Sequence, residues 1–169
     1  RNICRQKKDL LKKTPQTLNI PLWIKKNIKG FLGETEFLNI ATQISREPFL
    51  DINIKKDSFK ERRWGSVFKG KNIFENVVRV KNHSNITKLP FYKDGVWWVQ
   101  GLSATLPVFL INKIFANKNK DNISILDVGS APGGKAFQLL DLGFKVKSIE
   151  ISKRRIEILT SNFERLNFK

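Results

Sequence analysis

The sequence predicts an α/β protein in two parts, a small α+β module followed by the opening strands of a parallel, doubly wound sheet. Three observations predict it. Residues 21–45 carry apolar side chains at helical spacing, and residues 49–54 and 76–81 alternate as strands do. Residues 123–166 then read as buried strand, glycine-rich turn, apolar helix, second strand and helix.

Residues 1–19 are polar and basic, with a helical pattern at 7–13 stopped by Thr14-Pro15, and read as a linker or the end of an upstream helical domain. From Pro21, suited to a first helical turn, Trp23, Ile24, Ile28 and Phe31 recur at helical spacing. A second helix over 34–45 carries Phe37, Leu38, Ile40, Ala41 and Ile44. A strand at 49–54, a short helix around 58–68 and a strand at 76–81 follow; Asp94-Gly95 turns the chain into a strand at 96–100. Residues 20–100 form the module. Residues 101–169 open with a helix at 103–116, capped by Ser103 and with Pro107 in its first turn, and an Asn- and Lys-rich connection at 117–122.

Lysine and arginine number 32 against 15 acids, a net charge of +17. That excess favours a polyanionic partner, nucleic acid first; the plainer reading is a protein that uses lysine as its default surface residue. With 40% hydrophobic residues, 13 Phe and 4 Trp, the chain can build a core. No apolar run approaches the roughly 20 residues of a membrane span. Cys4 is the one cysteine, so no intrachain disulfide forms and a reducing cytoplasm is the expected compartment. No metal site is expected, and a monomer is. The chain has no Met and charged, unpunctuated ends, which fits a window from a longer protein.

The chemistry concentrates after residue 123. The strand at 123–128 runs into Gly129-Ser130-Ala131-Pro132-Gly133-Gly134-Lys135, then a helix at 136–142 ended by Gly143. A second strand, 145–150, finishes on Glu150, and a helix from Ser152 to about Leu166 carries Ile156, Leu159, Phe163 and Leu166 as its apolar stripe. Small residues at 129–134 let backbone approach a ligand, and their N–H groups stand at a helix N-terminus, where an anion such as a carboxylate is favoured. Glu150, at the carboxyl end of the neighbouring strand, is placed to accept from both ribose hydroxyls. Asp127 either orients the loop or faces a cationic end of the ligand. The Gly-x-Gly-x-x-Gly of dinucleotide sites is absent, and Lys135 is followed by Ala136 rather than the Ser or Thr of a phosphate-binding loop. Leu126-Asp127-x-Gly129 with the acidic strand end favours S-adenosylmethionine, against the reading of a glycine turn that merely joins strand to helix. The candidate cofactor residues are Gly129, Ser130, Ala131, Pro132, Gly133, Gly134, Lys135 and Glu150.

Residues 130–135 resemble the Ala-Ala-Pro-Gly-Gly-Lys signature of the RsmB/Sun/NOP family of RNA cytosine-5 methyltransferases. Upstream, Leu89-Pro90-Phe91-Tyr92-Lys93-Asp94-Gly95 with Trp97-Trp98-Val99-Gln100, then Pro21-Leu22-Trp23 and Pro48-Phe49-Leu50-Asp51, are similar to segments preceding that family's catalytic domain; downstream, Glu150, Arg155, Asn162 and Arg165-Leu166 keep its spacing. The resemblance runs from about residue 20 to the end and is closest to the bacterial RsmB type. It implies a Rossmann-like, class I S-adenosylmethionine-dependent fold preceded by an RNA-binding α+β module, and methylation of cytosine carbon 5 in ribosomal RNA (16S for the RsmB type). It also implies that residues 129–135 form the cofactor loop, that Glu150 holds the ribose, and that Arg155 supports the loop or Glu150, unless it is simply an exposed helix residue. Departures are Gly129-Ser130 for Cys-Ala, Ala136 for Thr, and Gly101 for an Asp after Val-Gln; the last removes a carboxylate.

The family's catalytic cysteines, in Pro-Cys and Thr-Cys motifs, are expected beyond Lys169, and Cys4 is expected to be idle, so the fragment alone should not methylate and should bind cofactor weakly. His83 reads as a solvated loop residue. The tryptophans read mostly as core, with Trp97-Trp98 the better candidate for base stacking because adjacent strand residues face opposite sides. Two other functions stay open: a ribose 2′-O-methyltransferase, using an acid–lysine set, and a non-catalytic RNA-binding or ribosome-assembly protein.

Overall fold

A computed structural model describes residues 20–44, 48–81 and 85–168; Cys4, the 1–19 segment and His83 lie outside the described residues. The chain divides into two compact units at residue 48. In the first, α1 (Leu22–Ile44) is broken at Gly33, whose φ of 84° leaves the helical region, so the two helices expected from the spacing are joined at a kink. Phe37, Ala41 and Ile20 form a small core with Ile24 and Ile28. Trp23 and Phe31, expected on the same stripe, are exposed.

The second unit begins with β1 (Leu50–Ile54), followed by the one-turn helices α2 (Lys56–Phe59) and α3 (Trp64–Val67), β2 (Lys71–Phe74), β3 (Val77–Val80) and β4 (Trp97–Val99). The strands form an antiparallel sheet in the order β2-β3-β1-β4. The single helix expected at 58–68 is two separate turns, and β2 was not anticipated. It pairs with β3 through a register shift between Asn72 and Phe74, and its first two residues are exposed, which erases the alternation that marks a strand.

Every residue of β1 is buried. Leu50, Ile52 and Ile54 enter a core with Trp64, Phe68, Val78, Val80 and Trp97. The polar face is covered by α4 (Leu102–Ile114) rather than by water. Asp51 receives Arg79 Nε and Nη2 at 2.7 and 2.8 Å and also the Leu102 amide at 2.9 Å. Asn53 donates to the Gln100 carbonyl (2.7 Å) and accepts from Thr105 Oγ1 (3.2 Å). Burial is opposed by these donors, and Asp51 stays below the usual carboxylate range. The cap of α4 is therefore not Ser103: Gly101 is the cap residue, and a carboxylate from β1 takes the first amide. Pro107 lies in the second turn, not the first.

Trp97 and Trp98 do point to opposite sides of β4, yet both are buried. Trp97 meets Phe68 and Tyr92 edge-on, while Trp98 packs toward Phe137 and donates to Gln100 Oε1 at 2.7 Å. The strand is covered on both faces, so neither ring is available to a base.

The last third holds β5 (Ser124–Val128), α5 (Gly134–Asp141), β6 (Lys145–Ile149) and α6 (Lys153–Arg165). β5 and β6 are parallel, Ser124 opposite Lys145 through Val128 opposite Ile149. One face packs Ile125 and Val146 with Val108, Leu139 and Phe144. The other leaves Leu126, Val128 and Ile149 exposed by half or more. Along α6, Leu159, Phe163 and Leu166 join the Trp98–Phe137 cluster, whereas Ile156 is 41% exposed.

Candidate functional site

The turn between β5 and α5 is built by two glycines in the left-handed region. Gly129 has φ 72° and Gly133 φ 112°. At Gly133 a Cβ would stand 2.1 Å from the Phe137 ring, so both conformation and space demand glycine. The Gly129 and Ser130 amides donate to the Ile149 carbonyl at 2.8 and 3.1 Å, tying the turn to the end of β6. Ser130, the residue standing for the family's Ala, is buried; its hydroxyl donates to Asp127 Oδ2 at 2.8 Å and lies 3.0 Å from the Ser148 hydroxyl. Asp127 thus orients the loop.

From the other side, α6 holds the carbonyls. Arg155 Nη2 donates to Ala131 O, and Asn162 Nδ2 donates to Pro132 O at 3.2 Å. The Ala131–Pro132 peptide is cis.

The turn borders a cleft of about 260 Å³ lined by Val99, Gln100, Gly101, Ala104, residues 127–132, Gly134 and Lys135. Of the sequence-predicted residues, Gly129, Ser130, Ala131, Pro132, Gly134 and Lys135 line it together. Gly133 lies behind, against Phe137. Glu150 is not part of the lining. Its side chain is 2% exposed, and Oε1 accepts from the Ile151 and Ser152 amides at 3.0 and 3.1 Å. Oε2 is buried without a hydrogen-bond partner, with Arg155 Nη1 3.3 Å away. The Ser152 amide foremost, with Arg155, holds this carboxyl below its usual range against desolvation. The expectation that both oxygens are open to a ligand therefore needs correcting: neither faces the cleft, Oε1 being taken by the start of α6 and Oε2 buried beside Arg155.

Arg155 is both partners at once, of the loop and of the acid. Sequence reasoning missed Gln100, a wall of the cleft: its amide donates to Gln138 Oε1 (2.7 Å) and the Ala104 carbonyl (3.1 Å). Its signals were its place in the Trp97-Trp98-Val99-Gln100 segment of the resemblance and its position between an apolar strand and a helix.

No family profile matches the chain. It is 33% identical over 94 residues to the Ribosomal RNA small subunit methyltransferase B of Photorhabdus laumondii, covering 54% of this chain and 20% of that protein. It is 23% identical over 158 residues to the protein of the same name from Escherichia coli, covering 88% and 35%. The chain thus spans about a fifth to a third of these curated relatives. A crystal structure of a methyltransferase homolog protein from Pyrococcus horikoshii superposes with a TM-score of 0.67 at 16% identity over 90% of this chain and 52% of that one, a likeness of fold. The resemblance to RsmB-type methyltransferases seen in the motifs is borne out by these relatives. Among the described residues no helix is long and apolar enough to cross a membrane.

Proposed function

We propose that the protein carrying this chain is an S-adenosylmethionine-dependent methyltransferase acting on carbon 5 of a cytosine in small-subunit (16S) ribosomal RNA. In this reading residues 101–169 are the first half of a Rossmann-like, class I cofactor domain, and residues 20–100 are a module that binds RNA. The observation that carries it is the strand-end turn of small residues, Gly129 to Lys135, opening onto a cleft at the start of α5.

The residues fit the cofactor. The turn from Gly129 to Lys135 offers unhindered backbone at the start of α5, where a carboxylate is favoured. Asp127 borders the same cleft and suits a cationic group. Glu150 sits outside the lining, and its Oε2, buried beside Arg155, would meet a ribose hydroxyl only with local movement of the turn. When bound, the cofactor supplies an electrophilic methyl group. This chain's part is to hold it: Arg155 fixes Ala131 and faces Glu150, so loop and acid keep one spacing. Carbon 5 of cytosine needs a nucleophile at carbon 6. The Pro-Cys and Thr-Cys motifs that supply it in the resembling family do not occur in residues 1–169, so this stretch by itself transfers no methyl group.

Calorimetry on the full-length protein tests the cofactor reading. Glu150→Gln should weaken S-adenosylmethionine binding by roughly tenfold or more, the scale of a hydrogen bond to a charged group; unchanged affinity sinks the assignment. Mass spectrometry of methylated 16S RNA tests the product, 5-methylcytosine being expected and a 2′-O-methyl ribose pointing to the ribose reading.

A further inference from the structure

A second cleft, of about 400 Å³, opens at the opposite end of α5. α5 is eight residues long, which sets its two ends about 12 Å apart along the axis. The cleft is bordered by α2, the β2–β3 turn, α4 from Thr105 to Lys113, Lys120 and the end of α5. Nothing in the cofactor reading uses it.

Its lining combines flat apolar walls with positive charge. Phe59, Phe74 and Phe109 enter it, the last two edge to face at 5.0 Å. Lys56, Lys60, Lys113 and Lys120 ring it against two acids, Glu75 and Asp141. None of these lysines is in an ion pair among the described residues. Lys113 lies over the Phe109 ring at 5.2 Å, and Lys120 is tethered to Asn112 Oδ1 at 2.5 Å, so two of the charges are held at the walls. Asp141 accepts the Lys56 amide at 2.9 Å. The volume lies within the range of small-ligand sites. Aromatic rings beside unpaired cations are what an unstacked base and its phosphate require, and a closed duplex offers no base to such a slot.

We propose that this cleft holds one unpaired nucleotide of the RNA substrate, its base against Phe74 and Phe109 and its phosphate on Lys60 and Lys113. The inference rests on the RNA-methyltransferase reading above and gives it an anchor remote from the cofactor loop.

The test uses the full-length protein and a single-stranded 16S RNA fragment bearing 4-thiouridine. Photo-cross-links mapped by mass spectrometry should fall on peptides containing Phe74 or Phe109. Lys60→Glu combined with Lys113→Glu should lower RNA affinity by roughly tenfold and flatten its salt dependence. Phe109→Leu should cost about tenfold and weaken the cross-link. Both lysines are exposed, so the charge-reversal protein stays folded even if Phe109→Leu does not. Cross-links confined to other peptides, or an unchanged affinity and salt slope in the double variant, overturn the proposal. Glu150→Gln separates the two readings: it should weaken cofactor binding by roughly tenfold or more while the cleft cross-link persists, whereas a wild type that ignores S-adenosylmethionine but cross-links at Phe109 condemns the cofactor reading alone.

Discussion

The two sheets of the second unit treat their side chains in opposite ways. The antiparallel sheet buries even its polar residues: Asp51 and Asn53 lie under α4 with their hydrogen bonds met. The parallel pair β5–β6 does the reverse and leaves Leu126, Val128 and Ile149 uncovered. A strand's alternation therefore reports which residues differ, not which side is wet. What settles exposure is whether a second layer arrives and brings partners for the polar groups.

The contrast can be broken by substitution. Trp97→Ala, in the closed sheet, should show the largest loss, about 3–5 kcal/mol in urea denaturation. Gly133→Ala, at the junction with the open pair, should cost about 2–4 kcal/mol, since a left-handed φ and a ring in the way act together. Ile52→Ala in β1 should cost about 2–4 kcal/mol, whereas Ile149→Ala on the bare face should stay within about 0.5 kcal/mol. Equal losses at Ile52 and Ile149 would mean that the open face is covered in solution.

Two carboxylates sharpen the comparison by pH. Asp51 is held low by Arg79 and Leu102 against its burial, so its contribution is present above the unfolded carboxyl range and lost as pH falls through its lowered folded value. Asp141 is pushed the other way, from 3.8 to about 6, by desolvation that outweighs the Lys56 amide. Its contribution is full below 3.8 and is lost as pH rises to about 6, a change of about 2–3 kcal/mol. Asp141→Asn, which keeps an acceptor for the Lys56 amide, should flatten stability between pH 4 and 6 and leave the acid limb below pH 4 intact; Asp51→Asn should do the converse.

The βαβ unit was legible because each of its parts carries a local signature: apolar β5, the glycines of the turn, Gly143 after α5, and the acid closing β6. What failed depended on distant partners. β2 was hidden because edge exposure and a register shift remove its period. Trp98 is core, as most of the tryptophans read, and the minor stacking reading fails because the layer covering it comes from α5 and α6, beyond the horizon of any window around β4. For Glu150 the sequence located the residue but not its carboxylate, whose Oε1 is taken by the amides of the two following residues and whose Oε2 is buried beside Arg155. Ser103 looked like a helix cap, and a strand fifty residues upstream had already supplied one.

Gln100 ties these halves together. Its side chain accepts from Trp98, donates to Gln138 on α5, and forms part of the wall facing the glycine turn. The aperture offered to a ligand is thus gauged by a residue belonging to the antiparallel layer, through a chain of amides with no slack. Tilting that layer against α5 means rupturing buried hydrogen bonds, so the mouth of the cleft has the stiffness of the interior behind it rather than that of a surface loop.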